Sequence, residues 1–223
     1  LKSTPSTAAP APGTFQSLYQ DLHREGYTEI LSIHPPAGLS GLFNSASVAA
    51  RMADAAVTVV DSMQLSLGMG FQVLVAAEDA LRGLPVAAIL EHLRKIQEHI
   101  RVAAMLDTLE YVRRSGRVSW ARASLGSLMN IKPFIALKEG KVVSLGETRT
   151  RHRGVERLRE MVHSLGPLER LAILHSNAEA EAVNFLKSLE VNVQASPLIV
   201  NVTTFIGTHI GPNGLGFAAL LRA

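Results

Sequence analysis

The sequence predicts an α/β protein in two domains, the first a parallel-sheet α/β/α sandwich and the second an α/β unit with a mixed sheet. Three observations predict it. Short apolar runs at 30–33 and 57–60 alternate with helical periodicities as far as about residue 101, which is the grammar of parallel βαβ units. Beyond that point helices are mixed with a hairpin signal around Glu139-Gly140, which requires antiparallel pairing. The length of 223 residues suffices for one large core or two small ones. The boundary is expected near residue 100, giving domains over 1–100 and 101–223.

The elements follow in order. Phe15, Leu18, Tyr19 and Leu22 stand at i, i+3, i+4 and i+7, an amphipathic helix with Gly26 as its stop. The run 30–33 is a buried strand, and 34–41 is a Pro/Gly/Ser loop. A second helix starts near Leu42, and 57–60 is another buried strand that ends in Asp61-Ser62. Residues 65–82 form a glycine-marked helix. A further helix runs from Pro85 to about Arg101, with Val86, Ile89, Leu90, Leu93, Ile96 and Ile100 on one face. Residues 102–106 read as a strand, and Asp107 leads into a short helix with a basic end at Gly116. The hairpin spans 132–143. The basic segment from Thr148 enters a helix with Val155, Leu158 and Val162 inward. A strand at 171–174, a helix at 178–189 and a short strand at 191–193 complete the reading. The glycine-rich stretch 207–216 reads as a loop.

Composition narrows the function. The chain is 47% hydrophobic, 18% charged and 5% aromatic, an ordinary globular balance rich in aliphatic residues. No apolar run approaches the ~20 residues that span a bilayer. Lys2 has no apolar segment behind it, so no signal peptide is read. The absence of Cys excludes disulfides and thiolate metal sites and fits a reducing, cytoplasmic location. A net charge of +3 without interleaved basic and aromatic residues argues against nucleic acid. The chain opens at Leu1 inside a stretch that is loop by composition, which is the expectation for a fragment of a longer protein.

Chemistry is expected in two places. His34-Pro-Pro-Ala-Gly-Leu-Ser40-Gly41 follows a buried strand and opens a helix, the edge where ligands bind in parallel α/β sheets. Ser40 is either a cap or an anion site at the helix N-terminus, and the two are compatible. As a nucleophile it lacks the Gly-x-Ser-x-Gly elbow, because its second glycine comes one place early. His34, His175 and His209 are the candidate bases, with Asp61 as a third member. His209 has the strongest claim to a role. The glycines around it permit close backbone approach, and an imidazole can donate to an oxyanion. Gly68-Met-Gly70 lacks the third glycine of a dinucleotide fingerprint. His175 reads as structural. Arg149, Arg151 and Arg153 read as a solvated helix start or a phosphate or carboxylate partner. Arg113, Arg114 and Arg117 read as a solvated or partner-facing patch.

Taken in order, these stretches resemble the DegV family of bacterial fatty-acid-binding proteins. Thr7-Ala-Ala-Pro-Ala-Pro-Gly-Thr-Phe15 is similar to that family's Thr-Ser-Gln-Pro-Ser-Pro-Gly-Glu-Phe, with Ala8 and Ala9 replacing Ser and Gln. Ile33-His-Pro-Pro-Ala-Gly-Leu-Ser-Gly41 is similar to Ile-His-Ile-Ser-Ser-Gly-Leu-Ser-Gly. Asp61-Ser62 with Gly68-x-Gly70, the segments 109–117 and 125–133, Arg149-Thr-Arg151 and the stretch 207–216 complete the series. The family's chains carry a further N-terminal segment, so the resemblance implies that the first domain is truncated here.

The resemblance implies one buried long-chain fatty acid such as palmitate, with no cofactor and no metal. It places the carboxylate on Thr7 and Ser40, with His209 and Arg149 near it. It implies a carrier that presents the carboxylate to a separate fatty acid kinase subunit for acyl-phosphate formation, within phospholipid metabolism. Arg113, Arg114 and Arg117 would then face the kinase or an anionic membrane surface. The alternative is a serine hydrolase acting on acyl esters through Ser40 and a histidine. A phosphate or nucleotide module is a third reading, against which the missing Walker and Rossmann fingerprints weigh.

Overall fold

The computed structural model describes residues 5–123 and 131–222, so most of the motif at 125–133 lies outside the described residues. The chain enters α1 (Pro12–Arg24) at a proline, which has no N–H to lose at a helix start. Gly26 then turns it at φ +98°, a backbone region that is costly for any residue with a Cβ. β1 (Glu29–His34), α2 (Leu42–Ala50) and β2 (Ala56–Asp61) form the predicted βαβ unit. The two strands pair in parallel from Glu29↔Ala56 to His34↔Asp61. Tyr19, Ile30, Ala49 and Ala55 make the small core of this unit.

Next come α3 (Ser66–Leu81), α4 (Val86–Gln97), β3 (Ile100–Met105), α5 (Glu110–Ser115), α6 (Ser119–Ala123), β4 (Lys132–Lys138) and β5 (Lys141–Thr148). The chain continues through α7 (Arg151–His163), β6 (Leu168–His175), α8 (Glu179–Lys187), β7 (Leu198–Asn201), α9 (Thr204–Ile210) and β8 (Leu215–Leu221). Six strands form one mixed sheet in the order β5-β4-β3-β8-β6-β7. β6 and β7 are parallel and the other neighbours antiparallel. The predicted hairpin is β4–β5. Its turn holds Glu139 and Gly140 at φ +50° and +72°, the doubly left-handed geometry whose twist matches that of the strands.

The large sheet is covered on both faces. α7 and α8 pack on one, where Phe134, Leu158, Ile173, Phe185 and Phe217 are fully buried. α3 and α4 pack on the other, setting Phe71, Val75, Ile89 and Leu93 against Val102, Leu174 and Leu220. The sheet thus begins at Ile100, while two of the helices that cover it precede that residue in the chain.

Three expectations change. The helix read as reaching Arg101 ends at Gln97, and Ile100 already pairs with Leu220 on β8. An apolar residue fits a helical stripe and a buried strand equally well, so local pattern does not mark the switch. The strand expected at 191–193 is a single bridge between Leu168 and Val193, and pairing with β6 is made by β7 instead. The stretch around His209 is not one loop. His209 closes α9, a turn at 211–214 follows, and Gly216 lies in β8, a central strand. Gly216 is required there by packing, because any side chain would run into the Ala103 carbonyl and Ala104 on β3.

Candidate ligand-binding site

Between the α3/α4 face of the large sheet and the loops that follow β1 and β2 lies a cavity of about 140 Å³. The sheet registers explain it. Ala104 stands opposite Ile135 on one side and Gly216 on the other, and Gly216 stands opposite Leu174. All four line the cavity. Small residues at the centre of this row, flanked by large ones, leave a trough in the floor. The β1 and β2 loops supply Pro35, Leu39 and Leu65, and α9 closes over the top with Phe205, Ile206, His209 and Ile210.

The lining is almost wholly apolar, with a few polar side chains: Ser40, Ser66, Ser115, Arg117 and His209. His175 and Ser176 also border it, but their groups are engaged elsewhere. The His175 Nδ1 accepts the Ala178 N–H at 3.2 Å, and the Ser176 hydroxyl donates to the Gly211 carbonyl at 2.7 Å.

The structure brings three of the sequence-predicted residues into one neighbourhood. Thr7 Oγ1 lies 2.9 Å from His209 Nε2, joining chain segments from opposite ends of the sequence. Ala9 packs against Gly41, which sets the Thr7 loop beside the Ser40 loop. Ser40 is not the N-cap expected from the sequence: Gly41 holds that position and makes no side-chain cap, while Ser40 Oγ, one residue earlier, accepts the Leu42 N–H at 3.3 Å and keeps its hydroxyl proton free to donate. Asp61 fixes the floor of this corner: its two carboxylate oxygens accept the Ala37 and Met63 N–H groups at 3.0 and 2.9 Å.

His209 is held neutral. Burial lowers its pKa, and the nearby positive charge of Arg117 lowers it further, since both penalise the imidazolium. Its Nδ1 is buried without a hydrogen-bond partner, and the Phe205 ring stands edge-on to the imidazole at 5.6 Å.

Two arginines fall differently from the sequence reading. Arg149 is exposed just beyond β5 and does not line the cavity. Arg117, read from sequence as part of a surface patch, does line it. The signal for Arg117 was the glycine before it: Gly116 sits at φ +69° and turns the chain from the end of α5 back to the cavity. Arg113 is exposed, and Arg114 pairs with Glu110 one helical turn back.

The geometry gives no support to a serine nucleophile. Among the described residues no histidine pairs with Ser40. His209 bonds Thr7, and His34 bonds Ser32 at 2.7 Å. Nor is any group of three or more His, Cys, Asp or Glu among these residues placed to hold a metal. No helix among them is long and apolar enough to cross a membrane.

The family model described as "Uncharacterised protein, DegV family" matches residues 1–222. The chain is 33% identical over 221 residues to Protein DegV of Bacillus subtilis, covering 95% of this chain and 77% of that one. A DegV domain-containing protein of Staphylococcus aureus is 32% identical over 220 residues, covering 97% and 78%. Among solved structures, a DegV family protein from Thermus thermophilus described for its fatty acid binding matches at 31% identity and a TM-score of 0.88, covering 99% of this chain and 80% of that one. DegV of B. subtilis, described as a fatty acid binding protein, matches at 30% identity and a TM-score of 0.85 over the same shares.

Proposed function

The chain belongs to the DegV family, and from that membership we propose that it carries one long-chain fatty acid, its tail in the apolar cavity and its carboxylate at the Thr7–Ser40–His209 corner. The observation that carries this reading is the Thr7–His209 hydrogen bond at the edge of a cavity whose lining is almost wholly apolar. Burying a palmitate-length tail yields ~0.8 kcal/mol per CH₂, or about 10 kcal/mol before the costs of association. Each charge-assisted hydrogen bond to the head group adds ~1.5–3 kcal/mol. Ser40 donates its hydroxyl proton, and the Thr7–His209 pair donates one more, from Thr7 when His209 Nε2–H bonds the Thr7 oxygen or from His209 Nδ1–H when the Thr7 hydroxyl bonds Nε2; Arg117 supplies the compensating charge. Arg117 suits that role better than Arg149 because it borders the cavity.

The protein is then a carrier and not a catalyst. A separate kinase subunit would transfer the ATP γ-phosphoryl group to a carboxylate oxygen, releasing ADP and leaving an acyl phosphate. Arg117 is exposed as well as cavity-lining, so it can meet the added charge. Arg113 and Arg149, also exposed, are basic groups available to that partner.

Two experiments test the reading. Purified protein incubated with palmitate and a fatty acid kinase should support ADP release that depends on the acid. Loss of acyl phosphate with lipid binding retained would remove the kinase step alone. A fluorophosphonate probe should leave Ser40 unlabelled, and a covalent adduct there would revive the hydrolase reading.

A further inference from the structure

The turn at 211–214 connects α9, which carries His209, to β8, and two groups clamp it. On one side is Ser176. Its hydroxyl donates to the Gly211 carbonyl and accepts the Gly214 N–H, both at 2.7 Å, and its carbonyl accepts the Asn213 N–H at 2.6 Å. On the other side is Arg151, the first residue of α7. Its Nη1 donates to the Asn213 carbonyl at 2.6 Å. Its Nε donates to Glu181 Oε1 at 2.9 Å, and its Nη2 bonds Glu181 Oε2. All three guanidinium nitrogens are engaged, and the side chain is 27% exposed. Asn213 is held at φ +60° and Gly211 at +77°, and Gly211 abuts Tyr111 so closely that no side chain fits.

Arg151 does not line the cavity. Its charge is answered by Glu181, so it is not a spare cation for a phosphate. What it does is fix the backbone just past His209. A planar fork that binds a carboxylate with one edge and a carbonyl with the other is work an ammonium cannot copy. We infer that Arg151, oriented by Glu181, is the positioning residue of the head-group site: it holds the 211–214 turn so that His209 stays on Thr7 and over the carboxylate. This inference rests on the fatty-acid reading for what His209 meets, but not for the clamp itself.

The test compares palmitate with hexadecan-1-ol, which has the same tail and no carboxylate, in the wild type and in Arg151→Gln, Glu181→Gln, His209→Ala and the Arg151→Gln/His209→Ala double variant. Arg151→Gln should weaken palmitate about tenfold and leave the alcohol unchanged, with Glu181→Gln changing in the same direction. In the His209→Ala background Arg151→Gln should have no further effect, because coupled residues are not additive. Equal losses for acid and alcohol, or additive losses in the double variant, would overturn the inference by reducing Arg151 to a general stabiliser. If the wild type takes up neither probe, the fatty-acid reading falls, and the imidazole resonances of His209 in the free protein decide the clamp. A shift in both Arg151→Gln and Glu181→Gln sustains it, and unchanged resonances refute it.

Discussion

His209 shows how one side chain can be tuned by burial and a like charge, with no counter-ion. Its burial and the Arg117 charge both depress its pKa, and burial depresses that of His34. A depressed histidine binds fewer protons folded than unfolded, so stability falls as pH drops below the unfolded value of about 6.5. The ligand-free protein should therefore melt at a lower temperature at pH 5.5 than at pH 7.5. His209→Ala should shrink that difference, as differential scanning calorimetry at the two pH values would read. A melting temperature that does not change with pH would contradict the neutral assignment. At the head group, His209→Ala removes one charge-assisted bond and should weaken palmitate by about 10- to 100-fold, measured by titration calorimetry. Part of this was visible in the sequence, where glycines crowd around His209. Arg117 was visible as a residue but not as a cavity wall, because only the fold turns α5 toward α9.

The short strands and the helices between them were legible because each apolar run is bounded by turn residues. The hairpin was legible because Glu139-Gly140 needs two left-handed residues in succession. What escaped were boundaries and partners. Ile100 is apolar in either state, and Leu198 and Ile199 on the edge strand β7 are partly exposed, so neither declares its pairing. Gly216 was read as loop flexibility, whereas β8 uses it to pass beside β3. Gly216→Val should therefore destabilise the sheet by about 1–3 kcal/mol through overpacking, read as a lower denaturant midpoint. A substitution tolerated without loss would mean that β3 and β8 can move apart. Ala104→Leu makes the opposite case, since its added methyl groups enter the trough rather than a packed wall. It should leave the midpoint unchanged or raised while lowering palmitate uptake, measured by ligand release from equal amounts of protein.

Across the molecule, the site is made by closure and not by any one element. The N-terminal loop, the β1 loop, the end of α5 and α9 meet over the sheet, and the Thr7–His209 bond spans them. Ligand should therefore stabilise the whole assembly. With fatty acid at 100 times its dissociation constant, the protein gains about 2.7 kcal/mol, which a thermal scan with added palmitate would register as a raised melting temperature. The decisive experiment is to record native and denaturing mass spectra of the purified protein and identify what denaturation releases. A fatty acid of ~14–18 carbons bound one per chain, its tail worth ~0.8 kcal/mol for each buried CH₂, is the result the carrier reading predicts. A protein that is empty as purified and stays empty when long-chain acids are added would contradict it, leaving the fold without its proposed ligand.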